Sequence, residues 1–430
     1  MIHGYAFTRF LRLLTAIAIL AAGCTDSSDE YRRIHYACWG TPEQERAARA
    51  LVDAFEERYP HIRVDVSVMG YGQYFNKIQT MMVGNVAPDV FMIGVNYYDE
   101  WASRGVLLDL SSEFEDLQRE AAIMPVPRNA VKRGSRVFGL PITVMGEVTF
   151  ANLDALREAG VDIPDDEGVT WEWMVEQAPR LSRLSGNPDA PTDYAFPVQQ
   201  PFVFLRQWGV ELFDDPYHPS RTAIDHDAAV RAIEFLRMVY SEGYTIPPDV
   251  GRDVGANLLF RDGRLAFTFG TYMLTALFEH EVDFEWDVLP FPAGKVSSQA
   301  MLGSVSLAVW EGTRNEEAAR KFAHFAASPE GARINMGRLR TLPVYHEIAY
   351  GEEFLGMSPP DSMVRFSDAM REGRAAPHLY APGSQQVSRI VNDRLTEAII
   401  RPDIPPGKIA RGIDMDLDRW LDRMRRQGIF

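Results

Sequence analysis

Apolar residues in this chain recur in two rhythms, every second position in short runs and every three to four positions in longer ones. Arg33 to Trp39 reads as a strand stopped by Gly40. Thr41 then stands as an N-cap, Pro42 occupies the first helical position, and Gln44 closes a capping box. The helix they open sets Ala47, Ala48, Leu51, Val52 and Phe55 on one face, and Tyr59-Pro60 ends it. Ile62, Val64, Val66 and Val68 alternate with polar residues in a second strand. A second helix is predicted from about Tyr74 to Val83, stopping at Gly84-Asn85, and Val90 to Ile93 is a short buried strand. The order βαβαβ predicts a parallel sheet covered by helices.

The pattern returns more loosely downstream. Val148-Thr149-Phe150 is a strand before a helix from Leu153 to Ala159. Further helices are expected over Trp171 to Leu184, Asp227 to Ser241 behind Asp225, and Glu316 to Ala327 before Ser328-Pro329. Strands are expected over Arg264 to Phe269, Trp286 to Pro290 and Ser306 to Trp310. No low-complexity block or short repeat divides the chain, so two α/β units are expected to exchange it more than once. A length of this order implies about two or three domains.

Residues 1–23 follow neither rhythm. Arg9 and Arg12 precede an uncharged stretch from Leu13 to Ala22 that ends in small residues. A basic flank, a short apolar run and a small-residue end describe an export signal. The run is shorter than the roughly 20 apolar residues of a membrane span. Ala21-Ala22-Gly23-Cys24 resembles a bacterial lipobox, with Ala21 where leucine is usual and Leu20 one position earlier. That resemblance implies a diacylglyceryl group on Cys24 and cleavage in front of it. Thr25 to Glu30 is polar and acidic, a tether reaching at most about 20 Å. The mature chain is thus expected outside the cytoplasm, lipid-anchored to a cell membrane and facing the periplasm or the cell exterior.

Charge narrows the partners. The formal net charge is −16, and removal of residues 1–23 takes away two arginines and no acid, leaving −18. Such a body lacks the basic surface that phosphates require, so nucleic acid is excluded as an expected partner. It is also held off anionic lipid heads, so that only the anchor need touch the membrane. With Cys24 lipidated, Cys38 stands alone, and no disulfide framework or Cys/His metal cluster is expected.

Signatures of catalysis are missing. Gly294-Lys295 has Leu289 where a phosphate loop needs its first glycine. No Gly-x-Gly-x-x-Gly follows a strand, and no Gly-x-Ser-x-Gly elbow is present. His280 lies between Glu279 and Glu281 but has no partner at helical spacing. Sixty acidic residues single out no glycosidase pair. The chain is therefore read as a non-enzyme without metal or cofactor.

Aromatic and amide side chains gather instead at predicted strand ends and in loops: Trp39, Asn96-Tyr97-Tyr98, Gln199-Gln200-Pro201-Phe202, Trp208 and Thr271-Tyr272. In open α/β sheets ligands bind beyond the carboxyl ends of the strands. Aromatic rings there can stack on the C–H faces of a sugar while amides bind its hydroxyls. Core packing is the other reading of each.

In order along residues 33 to about 420, a series of segments resembles the extracellular solute-binding proteins of carbohydrate ABC importers, related to maltose- and glycerol-phosphate-binding receptors. They are Leu51 to Val64, Gly84 to Val90, Phe138 to Pro141, Asn152-Leu153-Asp154 with Glu158-Ala159-Gly160, Thr170-Trp171, Phe260 to Phe267, Asp287 to Pro292 and Ala319 to Phe322. The resemblance implies an α/β fold of the two-lobed periplasmic-binding-protein kind (class II), with the ligand cleft between lobes. One lobe would hold 31–148 and 288–340, the other 149–287 and 341–430. It also implies contacts. Trp39 and Gly40 match a first-loop contact, and Asn96 falls where maltose binders place a carboxylate. Gln200 and Phe202 stand in place of a Glu and Tyr pair, and Tyr272 replaces a stacking tryptophan. Gly303 and Ser304 match a glycine-rich contact segment, and Tyr71, Met145 and Arg340 complete the carry-over. Tyr97 and Trp208 join the set as aromatics near the cleft. Two family carboxylates appear as amides, so maltodextrin specificity is not carried over. The expected function is the solute-binding component of an ABC importer, a monomer that captures a sugar or oligosaccharide and delivers it to a permease. A polyol, glycerol phosphodiester or peptide is the alternative solute, and a lipid-anchored glycan hydrolase the alternative activity.

Overall fold

Ile34, Tyr36, Ala37 and Cys38 are all buried, so their strand is covered on both faces. It is β1 (Arg32–Trp39), the centre of a parallel trio with β2 (Ile62–Met69) and β3 (Val90–Gly94). The computed structural model describes residues 31–40, 42–198, 201–216, 218–297, 302–371 and 383–429. Helices α1 (Pro42–Arg58) and α2 (Tyr71–Val83) make the two crossovers. The predicted apolar face of α1, from Ala47 to Phe55, is buried. Burial on that face removes apolar area from water at roughly 25 cal/mol per Å², which holds helix to sheet.

Helix α3 (Val95–Ser103) starts directly where β3 ends. Asn96, Tyr97 and Tyr98 therefore lie on a helix rather than in the loop that the sequence suggests. Tyr98 is a core residue, its hydroxyl donating to the Val131 carbonyl at 2.8 Å and accepting from the Phe138 amide at 2.7 Å.

Strands β4 (Leu140–Gly146), β5 (Val148–Asn152), β6 (Phe267–Gly270), β7 (Trp286–Leu289) and β8 (Leu302–Val309) complete the sheets. The first sheet has the order β2-β1-β3-β8-β4, with β8 antiparallel to both neighbours. The parallel sheet expected from βαβαβ is thus a mixed one, extended by a strand that returns from more than 200 residues away. In the second sheet β5 lies between β6 and β7, antiparallel to each, and every residue of β5 is buried. Asn152 ends β5 and caps the helix Leu153–Glu158, its side chain accepting from the Ala155 amide at 2.9 Å. Asn152→Ala is expected to cost about 1 kcal/mol, the usual worth of an N-cap, seen as a lower urea midpoint that Asn152→Asp largely restores.

The second core gathers Trp171, Phe204 and Phe269 with helices α4 (His226–Ser241), α6 (Ser384–Ile400) and α7 (Pro406–Arg426). In α7 the buried positions Ile409, Ala410, Ile413, Leu417, Trp420, Leu421 and Met424 keep a helical period. Helix α5 (Pro329–Leu339) packs on α1 in the first lobe. Beyond it, Leu342 bridges to Val144 and Tyr345 to Ile123, while Met363, Phe366 and Met370 enter the first core. Leu342 and Tyr345 thus join the first lobe, whereas Phe366 also meets Phe150 and Tyr272 at 6.2 and 5.2 Å and Ser362 donates to Asp287 of β7, so this segment packs against both sheets. Helix α6, from Ser384, and α7 then supply the last part of the second core.

Candidate functional site

Trp39 ends β1, and the chain turns away from the sheet there because Gly40 admits Gln44 to where a side chain would stand: a Cβ on Gly40 would meet the Gln44 Cβ at 2.7 Å. At this carboxyl end of β1 a cavity of about 70 Å³ opens. The first lobe contributes Tyr36, Cys38, Trp39, Thr143, Asn335 and Arg340, among others. From the end of β6 in the second lobe come Thr271, Tyr272 and Met273. Trp39, Tyr272 and Arg340, three of the contacts that the family resemblance implies, thus line one space.

A wall of rings flanks it. Trp39 meets Tyr71, Tyr74 and Phe75 at centroid distances of 5.6, 5.2 and 5.4 Å. Tyr97 stacks on Phe75 at 3.9 Å, with the planes 13° apart. Tyr71, 55% exposed, leaves its ring open to solvent. Phe75 is the keystone of this wall and escaped sequence reasoning. Its position four residues after Tyr71 on α2 was the available signal.

The polar groups are few and charge-balanced. Arg340 follows α5 in a left-handed conformation, φ 51°. Among the described residues that line the cavity it is the one charged side chain. It pairs with Glu279 on the second-lobe helix Thr275–Glu281, so an ion pair spans the lobes. Burial raises the Tyr272 phenol and the nearby Arg340 opposes that rise, leaving a neutral hydroxyl that donates to the Met357 sulfur at 3.1 Å. Burial pushes the Cys38 thiol up to about 12, so Cys38 forms a protonated, apolar part of the wall. Thr143 donates to the Leu342 carbonyl at 3.0 Å.

The remaining proposed contacts divide. Gly303 and Ser304 pair with Met145 and Val144 across β8 and β4, strands whose Val144 and Val305 line the cavity, and Ser304 Oγ is buried without a partner among the described residues. Asn96 is exposed on the first turn of α3, and its carbonyl accepts from Ser384 Oγ of the second lobe at 3.3 Å. Phe202 sits on the second-lobe helix Pro201–Gln207. Gln200, Thr41 and Cys24 lie outside the described residues. Trp208 is the clear departure. It is 5% exposed and packs on Phe204 and Phe235 at 5.7 and 4.7 Å, in the second core and away from the cavity. Its position on the inner side of a helix C-terminus, invisible in sequence, makes it a packing residue. Glu147, passed over in the sequence, stands at the β4–β5 crossing beside Trp171, Phe204 and Phe269.

Among the described residues no three His, Cys, Asp or Glu side chains are grouped to hold a metal ion. No described helix is long and apolar enough to cross a membrane.

Known proteins share this fold. A family model of bacterial extracellular solute-binding proteins matches residues 40–333. A galactooligosaccharide-binding protein of Bacillus subtilis is 20% identical over 352 residues, covering 78% of this chain and 80% of its own length. A lipoprotein of Streptomyces antibioticus is 24% identical over 350 residues, covering 77% of this chain and 74% of its own. The solved structure of an ABC substrate-binding protein from Listeria monocytogenes, in complex with cycloalternan, superposes with a TM-score of 0.78 at 22% identity, covering 91% of this chain and 99% of that one. The fold is therefore that of a two-lobed binding protein, and the chain belongs to the bacterial extracellular solute-binding protein family.

Proposed function

We propose that this chain captures a neutral carbohydrate between its lobes and delivers it to the membrane subunits of an ABC importer. The observation that carries this reading is the cavity at the lobe junction, where Trp39 and Tyr272 approach from opposite lobes. Rings of this kind stack on the C–H faces of a pyranose, and the threonines and Asn335 beside them suit its hydroxyls. The charge balance also favours a neutral solute. Glu279 already answers Arg340, so among the described lining residues no free cation awaits a phosphate or carboxylate.

At about 70 Å³ the cavity is well below the roughly 300–1,000 Å³ of small-molecule sites. The lobes must therefore part for a sugar to enter, and the ligand stabilises the closed form by touching both. The closed body then docks on the permease as a monomer, and energy for transport is supplied elsewhere. Diacylglycerol on Cys24 would confine the receptor to the membrane surface and raise its effective concentration at the permease. Cys24→Ala is expected to release the protein into the medium without stopping its export, as read by fractionation.

A thermal-shift panel of neutral oligosaccharides, polyols, a glycerol phosphodiester and short peptides tests the reading. A ligand at 100 times its Kd stabilises the folded state by about 2.7 kcal/mol. At least one oligosaccharide should raise the melting temperature. A rise with the phosphodiester or a peptide, and with no sugar, would overturn it.

A further inference from the structure

A second space lies away from the lobe junction. A cavity of about 370 Å³ lies within the second lobe, between the end of α4, the segment Ile246 to Ala256 and the side of α6. It is a recess about half open to solvent, not a closed void. It falls in the range of small-molecule sites.

Its lining is specific in chemistry. Asn392, Thr396 and Ile399 recur at helical spacing, so α6 presents one face to the space. Asn392 Oδ1 is buried with no hydrogen-bond partner among the described residues. A buried amide oxygen left alone costs free energy that a donor from a ligand would relieve. Opposite stand Tyr240 and the prolines Pro197, Pro201, Pro247 and Pro248. Proline rings are rigid and carry no N–H, so they offer flat apolar faces without unmet backbone donors. Burial pushes the Tyr240 phenol up to about 12, which keeps it neutral and able to donate. No charged side chain is among the described residues that line the space. A ring with apolar faces and hydroxyls on its rim fits this set, whereas an ion does not.

The space is separate from the junction. Pro197 and Val198 also border the gap beside Glu147, Trp171 and Phe204, and that gap holds only about 10 Å³, barely enough for one water. We infer that the second lobe contains its own binding compartment for one or two neutral sugar rings, independent of lobe closure. The inference rests on the carbohydrate reading above and adds a second site to it.

Binding stoichiometry tests it on the mature chain, using methyl glycosides of glucose, galactose and arabinose and the oligosaccharides from the thermal-shift panel. The native protein is expected to bind two equivalents of a glycoside. Thr396→Trp, which fills the compartment, should reduce this to one and leave the affinity of the remaining site within about twofold. Asn392→Leu removes the amide without adding bulk. It should weaken the same event at least tenfold, and serves if the tryptophan variant does not fold. One equivalent in the native protein, or a stoichiometry that neither variant alters, overturns the compartment while leaving the junction site intact. Absence of binding by every sugar would instead bring down the carbohydrate reading and the compartment with it.

Discussion

Trp39→Ala is expected to weaken carbohydrate binding by roughly 30- to 100-fold while leaving the protein folded. Trp39 lies at the edge of the cavity, half-buried, with its ring supported from behind by Tyr74 and Phe75. Covering such a face with a sugar is worth about 2–3 kcal/mol, the scale of burying one large apolar side chain. Each 1.4 kcal/mol is about tenfold in Kd. The folded state loses less, since Tyr71, Tyr74, Phe75 and Tyr97 still pack on one another. Trp39→Phe should recover most of the affinity. Trp208→Ala supplies the contrast: it empties a core position and lowers stability by about 3–5 kcal/mol, yet the molecules that remain folded should bind as before. Equal calorimetric affinities for Trp39→Ala and the native protein would remove Trp39 from the site.

A stability effect as large as that of Trp208→Ala is expected at Arg133. Its guanidinium pairs two-pronged with the Asp99 carboxylate of α3, one contact being 2.9 Å, and lies 4.9 Å from the centroid of the Tyr98 ring. The two side chains are 17% and 10% exposed. Arg133→Met leaves a buried carboxylate without its cation, which costs about 3–5 kcal/mol at neutral pH. Burial already holds the Asp99 carboxyl above its ordinary range, and hydrogen bonding and charge from Arg133 pull it back. Without Arg133 the rise is larger. A carboxyl whose folded pKa exceeds its unfolded value favours folding when protonated. The penalty is therefore full above the folded value and shrinks as pH falls through it toward the unfolded one. Urea midpoints at pH 8 and pH 5 should show the Arg133→Met deficit narrowing at the lower pH. Adding Asp99→Asn should remove most of the deficit at both. A deficit equal at the two values would mean that lost packing, not the stranded charge, is responsible. Since α3 carries Tyr97, the same variant should also loosen the aromatic wall.

Local pattern made much of this architecture legible in advance. Alternation in Ile62 to Val68, the apolar face of α1 and the Asp225 cap of α4 are all encoded within a few residues, and each forms as expected, Asp225 accepting from the Ala228 amide at 3.0 Å. What escaped is non-local. The place of β8 between β3 and β4 depends on partners more than 150 residues away, and so does the pairing of Leu342 with Val144 and of Tyr345 with Ile123. The carboxyl edge of a sheet is where ligands bind in open α/β folds, and Trp39 and Tyr272, singled out at strand ends for that reason, both line the cavity. Trp208 does not, because an aromatic near the end of a helix has the same composition signal whether it faces ligand or core. Phe75 was hidden for the opposite reason: inside an amphipathic helix, a ring that supports the site resembles any other buried position.

The central claim is that a neutral sugar is held between two lobes that close on it. Small-angle X-ray scattering of the mature protein, with and without an oligosaccharide that raises its melting temperature, tests that claim most directly. The radius of gyration should fall when the sugar saturates the protein and the lobes meet across Trp39 and Tyr272. A sugar that binds while the scattering curve stays unchanged would contradict capture by lobe closure.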